Sequence, residues 1–291
     1  MNETAPPVTS LPVVGAALPI SALLEHREWL LEHGGRDLEI QDAYRSEVID
    51  GDYKPLLEQA RNALEGHAGR VGIHGPYDGL YIASWDPPVR EFVASRYLKA
   101  LDFLEALCET LGSSAPHMVI HSPFLFFGHA QVAHTPATGL DKQMGWAQQT
   151  LEKVLHRAQG LGCTLVLENI FDRNPQPLKA LVESFDSPFV RISLDAGHAN
   201  LMRESGAPPA EQWALEAAAL LGHVHLQDND GFYDRHWPPG QGSTRWWALM
   251  QAIAALKTEH PTLNPRLLLE VRSDEIKSAA NWMAAQGLVR R

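Results

Sequence analysis

Short apolar runs recur along the chain, and one after another they end in a residue type that binds metals or protons. Val71-Gly72-Ile73 ends in His74, Met118-Val119-Ile120 in His121, Leu165-Val166-Leu167 in Glu168, Ile192-Ser193-Leu194 in Asp195 and Leu267-Leu268-Leu269 in Glu270, while His225 follows Gly222-His223-Val224. Runs of this length, separated by helix-period segments, predict buried parallel strands. Strands are expected over 13–18, 37–41, 71–74, 117–121, 164–168, 190–195, 223–227 and 266–271. Helices are expected after each, over 21–33, 54–67, 87–112, 141–160, 175–185, 208–221, 245–259 and 273–289. Ser21 with Glu25 suits a helix start, Asp86-Pro87-Pro88 another, and Gly34-Gly35, Gly160 and Gly222 suit helix ends.

Strict alternation of strand and helix favours parallel pairing with right-handed crossovers, and eight repeats favour closure. The expected fold class is therefore α/β, a single (β/α)8 TIM barrel over residues 12–291, with residues 1–11 as a flexible N-terminal lead-in rich in proline. A length of 291 residues fits one such domain, and 45% apolar against 20% charged residues fits a globular chain. Loops that follow strands form the active face of such barrels, and the long ones here are 75–86, 122–140 and 228–244.

A formal net charge of −11 disfavours broad attraction to nucleic acid or an anionic membrane. Cys108 and Cys163 belong to no paired-cysteine motif and read as core thiols. The first residues carry Glu3 and no basic residue ahead of the apolar stretch, and Val13–Ile20 is too short to span a bilayer, so a cytoplasmic location is the expectation. Oligomeric state is left open.

One carboxylate or imidazole at a strand end is ordinary, but six placed round a closed sheet converge on one mouth, where repulsion and desolvation call for cations. Asp195-Ala196-Gly197-His198 spaces a carboxylate and an imidazole across a glycine-containing turn, although Asp195 also suits a helix cap. Asp234-Arg235-His236 can aim its outer two side chains at one ion while Arg235 points away. No function is assigned to His26, His33, His67, His156 and His260 on helices, to His117 and His223 at strand starts, or to His129 and His134 in a loop. Gly240-Gln241-Gly242 reads as a turn.

The segments Ile73–Tyr77, Leu167-Glu168-Asn169, Leu194–His198, and His225–Gly231 through Asp234-Arg235-His236 to Gly242 resemble the xylose isomerase-like TIM barrels, a group of sugar and sugar-phosphate isomerases and epimerases that also includes endonuclease IV. In the epimerase branch the resemblance implies one divalent metal, often manganese, on Glu168, Asp195, His225 and Glu270, with Glu168 and Glu270 as acid and base and His198 on the substrate. In the endonuclease IV branch it implies three zinc ions: one on His74, His121 and Glu168, one on Glu168, Asp195, His225 and Glu270, and one on His198, Asp234 and His236. All nine positions are filled, which suits phosphodiester cleavage. The loops favour the other branch: 75–86 and 122–140 have no Lys or Arg, and aromatic residues predict a sugar-stacking pocket. Those aromatics are Tyr77, Tyr81, Trp85, Phe124, Phe126, Phe127, Phe171, Phe232, Tyr233 and Trp237. Tyr77, Phe124, Trp237, Arg235 and His198 are the expected substrate contacts. The expected function is isomerisation or epimerisation of a sugar, sugar phosphate or polyol through a metal-stabilised enediolate, with manganese or zinc as cofactor and more than one ion allowed. The alternative is a zinc-dependent abasic-site endonuclease; a purely ligand-binding barrel is a third option.

Overall fold

A computed structural model describes residues 11–124 and 138–291. Eight strands form one closed, all-parallel barrel in chain order: β1 (Gly15–Leu18), β2 (Leu38–Ile40), β3 (Val71–His74), β4 (His117–His121), β5 (Thr164–Glu168), β6 (Val190–Asp195), β7 (Leu221–Leu226) and β8 (Arg266–Leu269). The helices are α1 (Leu23–Leu31), α2 (Ser46–Ile49), α3 (Lys54–Ala63), α4 (Pro87–Leu111), α5 (Thr138–Gly160), α6 (Pro175–Ser184), α7 (Ala196–Leu201), α8 (Ala210–Ala217), α9 (Trp246–Glu259) and α10 (Ile276–Ala285). The expected lead-in lies outside the described residues except for Leu11, as do Phe126, Phe127, His129 and His134. Among the described residues no helix is long and apolar enough to cross a membrane. Cys108 and Cys163 are free.

Side chains alternate between the two faces of each strand. One set, including Ile73, Met118, Leu165, Leu167, Ile192, Leu194, Val224 and Leu267, is buried in the continuous apolar layer shared with the helices. Each such side chain contributes about 1.5–3 kcal/mol relative to exposure. Pro87 and Pro88 open α4, and Gly112 at φ 63° closes it by donating its N–H to the Cys108 carbonyl.

Two departures from the expected elements have local causes. Ala218, at φ 50°, breaks the helix expected over 208–221 after Ala217, so the chain turns early and β7 begins at Leu221. The turn expected after Asp195 is instead the first turn of α7, capped by Asp195, whose Oδ1 accepts the His198 N–H at 2.6 Å.

The opposite set of side chains fills the barrel interior, and its lower layer is polar. Glu39, His117, Ser193 and His223 are fully buried there. Space for them comes from small neighbours, since Ala17 and Gly72 sit beside Glu39 in register. A Cβ on Gly72 would lie 2.0 Å from His117 Nδ1. Gly72→Ala is accordingly expected to lower stability by about 1–3 kcal/mol, as overpacked cores do; denaturant unfolding matching the parent chain would contradict this packing.

Candidate functional site

Register sets the candidate donors at one height. His121 pairs with Glu168 across β4 and β5, Asp195 pairs with His225 across β6 and β7, and the Glu270 N–H just past β8 still donates to the Leu226 carbonyl at 3.3 Å. His74 ends β3 on the same rim. The remaining donors arrive on α7, which carries His198, and on the loop after β7, which carries Asp234 and His236.

The loop is held by a residue that the sequence did not single out. Asp228, fully buried, accepts N–H groups from Asn229, Gly240, Gly242 and Thr244 at 3.0 Å each and from the Trp246 indole at 2.9 Å. The Gly240-Gln241-Gly242 turn therefore wraps a carboxylate of its own chain. Gln227 adds a clamp, its Nε2 donating to Asp195 Oδ1 at 3.1 Å and to Asp234 Oδ1 at 2.9 Å. His236 itself stands at φ 50°, an unusual conformation for a non-glycine residue and one that concentrates at functional positions.

The nine residues fall into neighbouring groups whose donor atoms lie within 4.8 Å of one another: His74, His121 and Glu168; Glu168, Asp195 and His225; and His198, Asp234 and His236. Glu270 joins the middle group, its Oε2 lying 3.2 Å from His225 Nδ1, with Glu168 Oε2 at 3.0 Å and Asp195 Oδ2 at 3.9 Å from the same nitrogen. Three carboxylates thus face one imidazole nitrogen in the barrel mouth. The cleft above them has a volume of about 290 Å³.

Burial would raise carboxylates and lower imidazoles, and the group departs from that rule where charges meet. Asp195 follows it, pushed up to about 7 chiefly by burial with His198 opposing. Glu168 is held well below the usual carboxylate range despite burial, by His225 and His198. His198 and His225 lie well above the ordinary imidazole value although burial opposes it, because Asp195 and Asp234 face the first and Glu270, Glu39 and Glu168 face the second. His236 rises to about 9 against burial through Asp234 and Glu270. His121 falls to about 3, mainly by burial and then by His74.

The expected substrate contacts divide. Tyr77 and His198 line the cleft; Phe124, Trp237 and Arg235 do not. Phe124 is drawn into the apolar core, its N–H tied to Ser122 Oγ, which in turn donates to Asp172. Trp237 bridges back to Asp228 through both backbone groups, and Arg235 lies over the Tyr233 and Trp237 rings while pairing with Asp230 at 2.9 Å. The aromatic wall is thinner than expected among the described residues: Tyr81 packs against the core, while Trp85, Phe171, Phe232 and Tyr233 are exposed. Tyr44 and Gln41, unremarked in the sequence, line the cleft instead, and Gln41 Nε2 donates to Glu270 Oε1 at 3.4 Å.

Sequence reasoning also passes over Glu39, His117 and His223. A signal for two of them is present: His117 and His121 lie four positions apart along one strand and His223 and His225 two apart along another, so each pair shares a face.

Residues 28–288 match the family described as xylose isomerase-like TIM barrel. A Thermus thermophilus protein, solved after soaking with zinc chloride, superposes with a TM-score of 0.68 and 26% identity over 96% of this chain and 99% of that one. The apo form of 3-keto-D-glucoside 4-epimerase from E. coli shares the fold, with a TM-score of 0.65 and 19% identity over 94% and 98% of the two chains. An uncharacterized protein of Methanocaldococcus jannaschii is 29% identical over 114 residues, covering 36% of this chain and only 37% of its own length.

Protons on raised imidazoles must leave when a cation takes their place. Zinc binding is therefore expected to release protons near neutral pH, and its apparent affinity to fall as pH drops from about 8 to about 6. Calorimetry in buffers of differing ionisation enthalpy measures both; pH-independent affinity with no proton release would contradict this picture of the site.

Proposed function

Because the chain belongs to the xylose isomerase-like TIM barrel family, we propose that it is a divalent-metal-dependent isomerase or epimerase acting on a sugar or related polyol. The supporting observation is the middle donor group, where Glu168 at the end of β5 and Glu270 just past β8 flank a ring nitrogen and a carboxylate oxygen that make no well-formed hydrogen bond. Those two atoms, His225 Nδ1 and Asp195 Oδ2, are buried. A buried acceptor oxygen without a hydrogen bond, beside a ring nitrogen crowded by three carboxylates, is costly unless positive charge meets the cluster, as a bound cation would. Mixed imidazole and carboxylate donors suit zinc or manganese, so the residues fit a metal held by Glu168, Asp195, His225 and Glu270.

A cation there would polarise the substrate's carbonyl and hydroxyl oxygens. The protein's own part is proton transfer: one carboxylate removes the proton from the carbon beside the carbonyl, and the other delivers a proton to the same or the adjacent carbon. His198 and Tyr77, on the cleft wall, are positioned to bind substrate hydroxyls. Neither Lys nor Arg lines the cleft among the described residues, which favours an uncharged sugar over a phosphorylated one.

Glu168→Gln and Glu270→Gln are each expected to reduce solvent-deuterium incorporation into a substrate sugar by about 10²–10⁴-fold, the usual worth of a general acid or base. Exchange at the parental rate in either variant would remove that residue from the proton-transfer pair.

A second reading is favoured by the two outer groups, His74–His121–Glu168 and His198–Asp234–His236, which a single-ion epimerase does not need. Clustered ions suit phosphodiester hydrolysis. Elemental analysis giving about three zinc ions per chain, together with incision of an abasic-site duplex that His236→Ala abolishes, is the outcome this reading expects. One ion per chain and an uncut duplex would leave the isomerase reading alone.

A further inference from the structure

Four histidines of the site each have one ring nitrogen anchored, and one of them is anchored differently. His74 Nδ1 meets the Gly75 carbonyl, His198 Nδ1 the Asn169 carbonyl and His236 Nδ1 the Glu270 carbonyl, all at 2.9 Å. Each of these rings leaves Nε2 for the cleft. His225 is reversed: its Nε2 is 3.0 Å from Glu39 Oε1, beneath the site, and Nδ1 points up at Glu168, Asp195 and Glu270. Its anchor is also a carboxylate rather than a carbonyl.

Glu39 is itself braced. His117 Nε2 donates to its Oε2 at 2.9 Å, and His223 Nε2 stands 3.2 Å from the same oxygen, with His223 Nδ1 held by Ser193 Oγ at 2.8 Å. All four side chains are fully buried. The carboxylate therefore has one oxygen occupied by the floor of the barrel and the other aimed at His225.

We infer that Glu39 is a positioning residue for the metal site, holding His225 with its proton on Nε2 so that Nδ1 is the metal donor, with His117 hydrogen-bonded to the carboxylate and His223 packed beside it. This inference rests on the metal-dependent reading of the site and adds to it the residue that orients the ring. A carboxylate behind a ligating imidazole fixes its tautomer and orientation and raises its basicity, and a charged acceptor does this more strongly than a backbone carbonyl. Glu39 does not serve as a ligand in this arrangement: its Oε1 accepts from the ring whose other nitrogen faces the cleft, and one imidazole ring supplies one donor to one ion.

Glu39→Gln keeps the volume but replaces one acceptor oxygen by an NH₂ group, which must confront either His225 Nε2–H or His117 Nε2–H. Zinc affinity of the full chain, measured by competition with a chromophoric chelator, is expected to fall about 10–100-fold in the variant. The visible spectrum of the cobalt-loaded variant is expected to shift, a change that loss of stability alone would not cause. Nitrogen-15 spectra of zinc-loaded, histidine-labelled parent protein are expected to show His225 with a protonated Nε2 and a metal-bound Nδ1. Should Glu39→Gln fail to fold, that spectrum of the parent decides the matter. Metal on Nε2 of His225, or parental zinc affinity with an unchanged cobalt spectrum in the variant, overturns the inference alone. A parent chain that takes up no divalent metal overturns it together with the reading it rests on.

Discussion

Carboxylates withdrawn from water must be met by positive charge, and much of the upper half of this barrel is organised around that requirement. Glu168, Asp195 and Glu270 are buried within reach of a single imidazole nitrogen. In a medium of low polarizability such a cluster is tolerated only with imidazolium protons or a cation among the oxygens. The raised values of His198, His225 and His236 follow from the same demand, because in each the facing carboxylates outweigh a burial that acts in the opposite sense. Proton inventory and the capacity of these groups to receive a cation are thereby linked in one balance.

That balance requires donors that stay where they are, and the chain supplies rigidity from beneath and beside the site. The long segment after β7 would be an unreliable platform for Asp234 and His236 if it were free. Asp228 gathers four N–H donors from it and a fifth from Trp246 at the start of α9, and Gln227 ties Asp234 back to Asp195. The two outer donor groups are thus built on differing supports: His74 and His121 on strand ends, His198, Asp234 and His236 on a short helix and a pinned loop. A scaffold of this kind holds side chains to the small tolerances that metal coordination needs.

Much of this was legible in the residues. Apolar runs ending in His74, His121, Glu168 and Asp195 located four strand ends without error, because a buried parallel strand is nearly uniform in hydrophobicity and its polar terminus stands out. Boundaries failed where a single backbone angle decided them, as at Ala218, since nothing in an alanine's side chain announces a left-handed conformation. Phe124 and Trp237 stand outside the cleft lining for another reason: an aromatic residue near a site is equally suited to packing, and Ser122, itself bonded to Asp172, and the backbone of Asp228 hold these two elsewhere. Glu39 was invisible because β2 is only three residues long and offers one interior position. His117 and His223 could have been found by extending period-two alternation downward from His121 and His225.

The polar floor has a bearing on how the cylinder closes. Glu39, His117, Ser193 and His223 come from β2, β4, β6 and β7 and meet only when those strands stand in one alignment. A slip of one residue along β2 would carry Glu39 outward into the hydrocarbon layer that holds Leu38 and Ile40, and would leave imidazoles on the axis without an acceptor. An all-aliphatic interior would tolerate such a shift far better. The buried acid and its histidines therefore favour the one closure in which the donor rim above them also lines up.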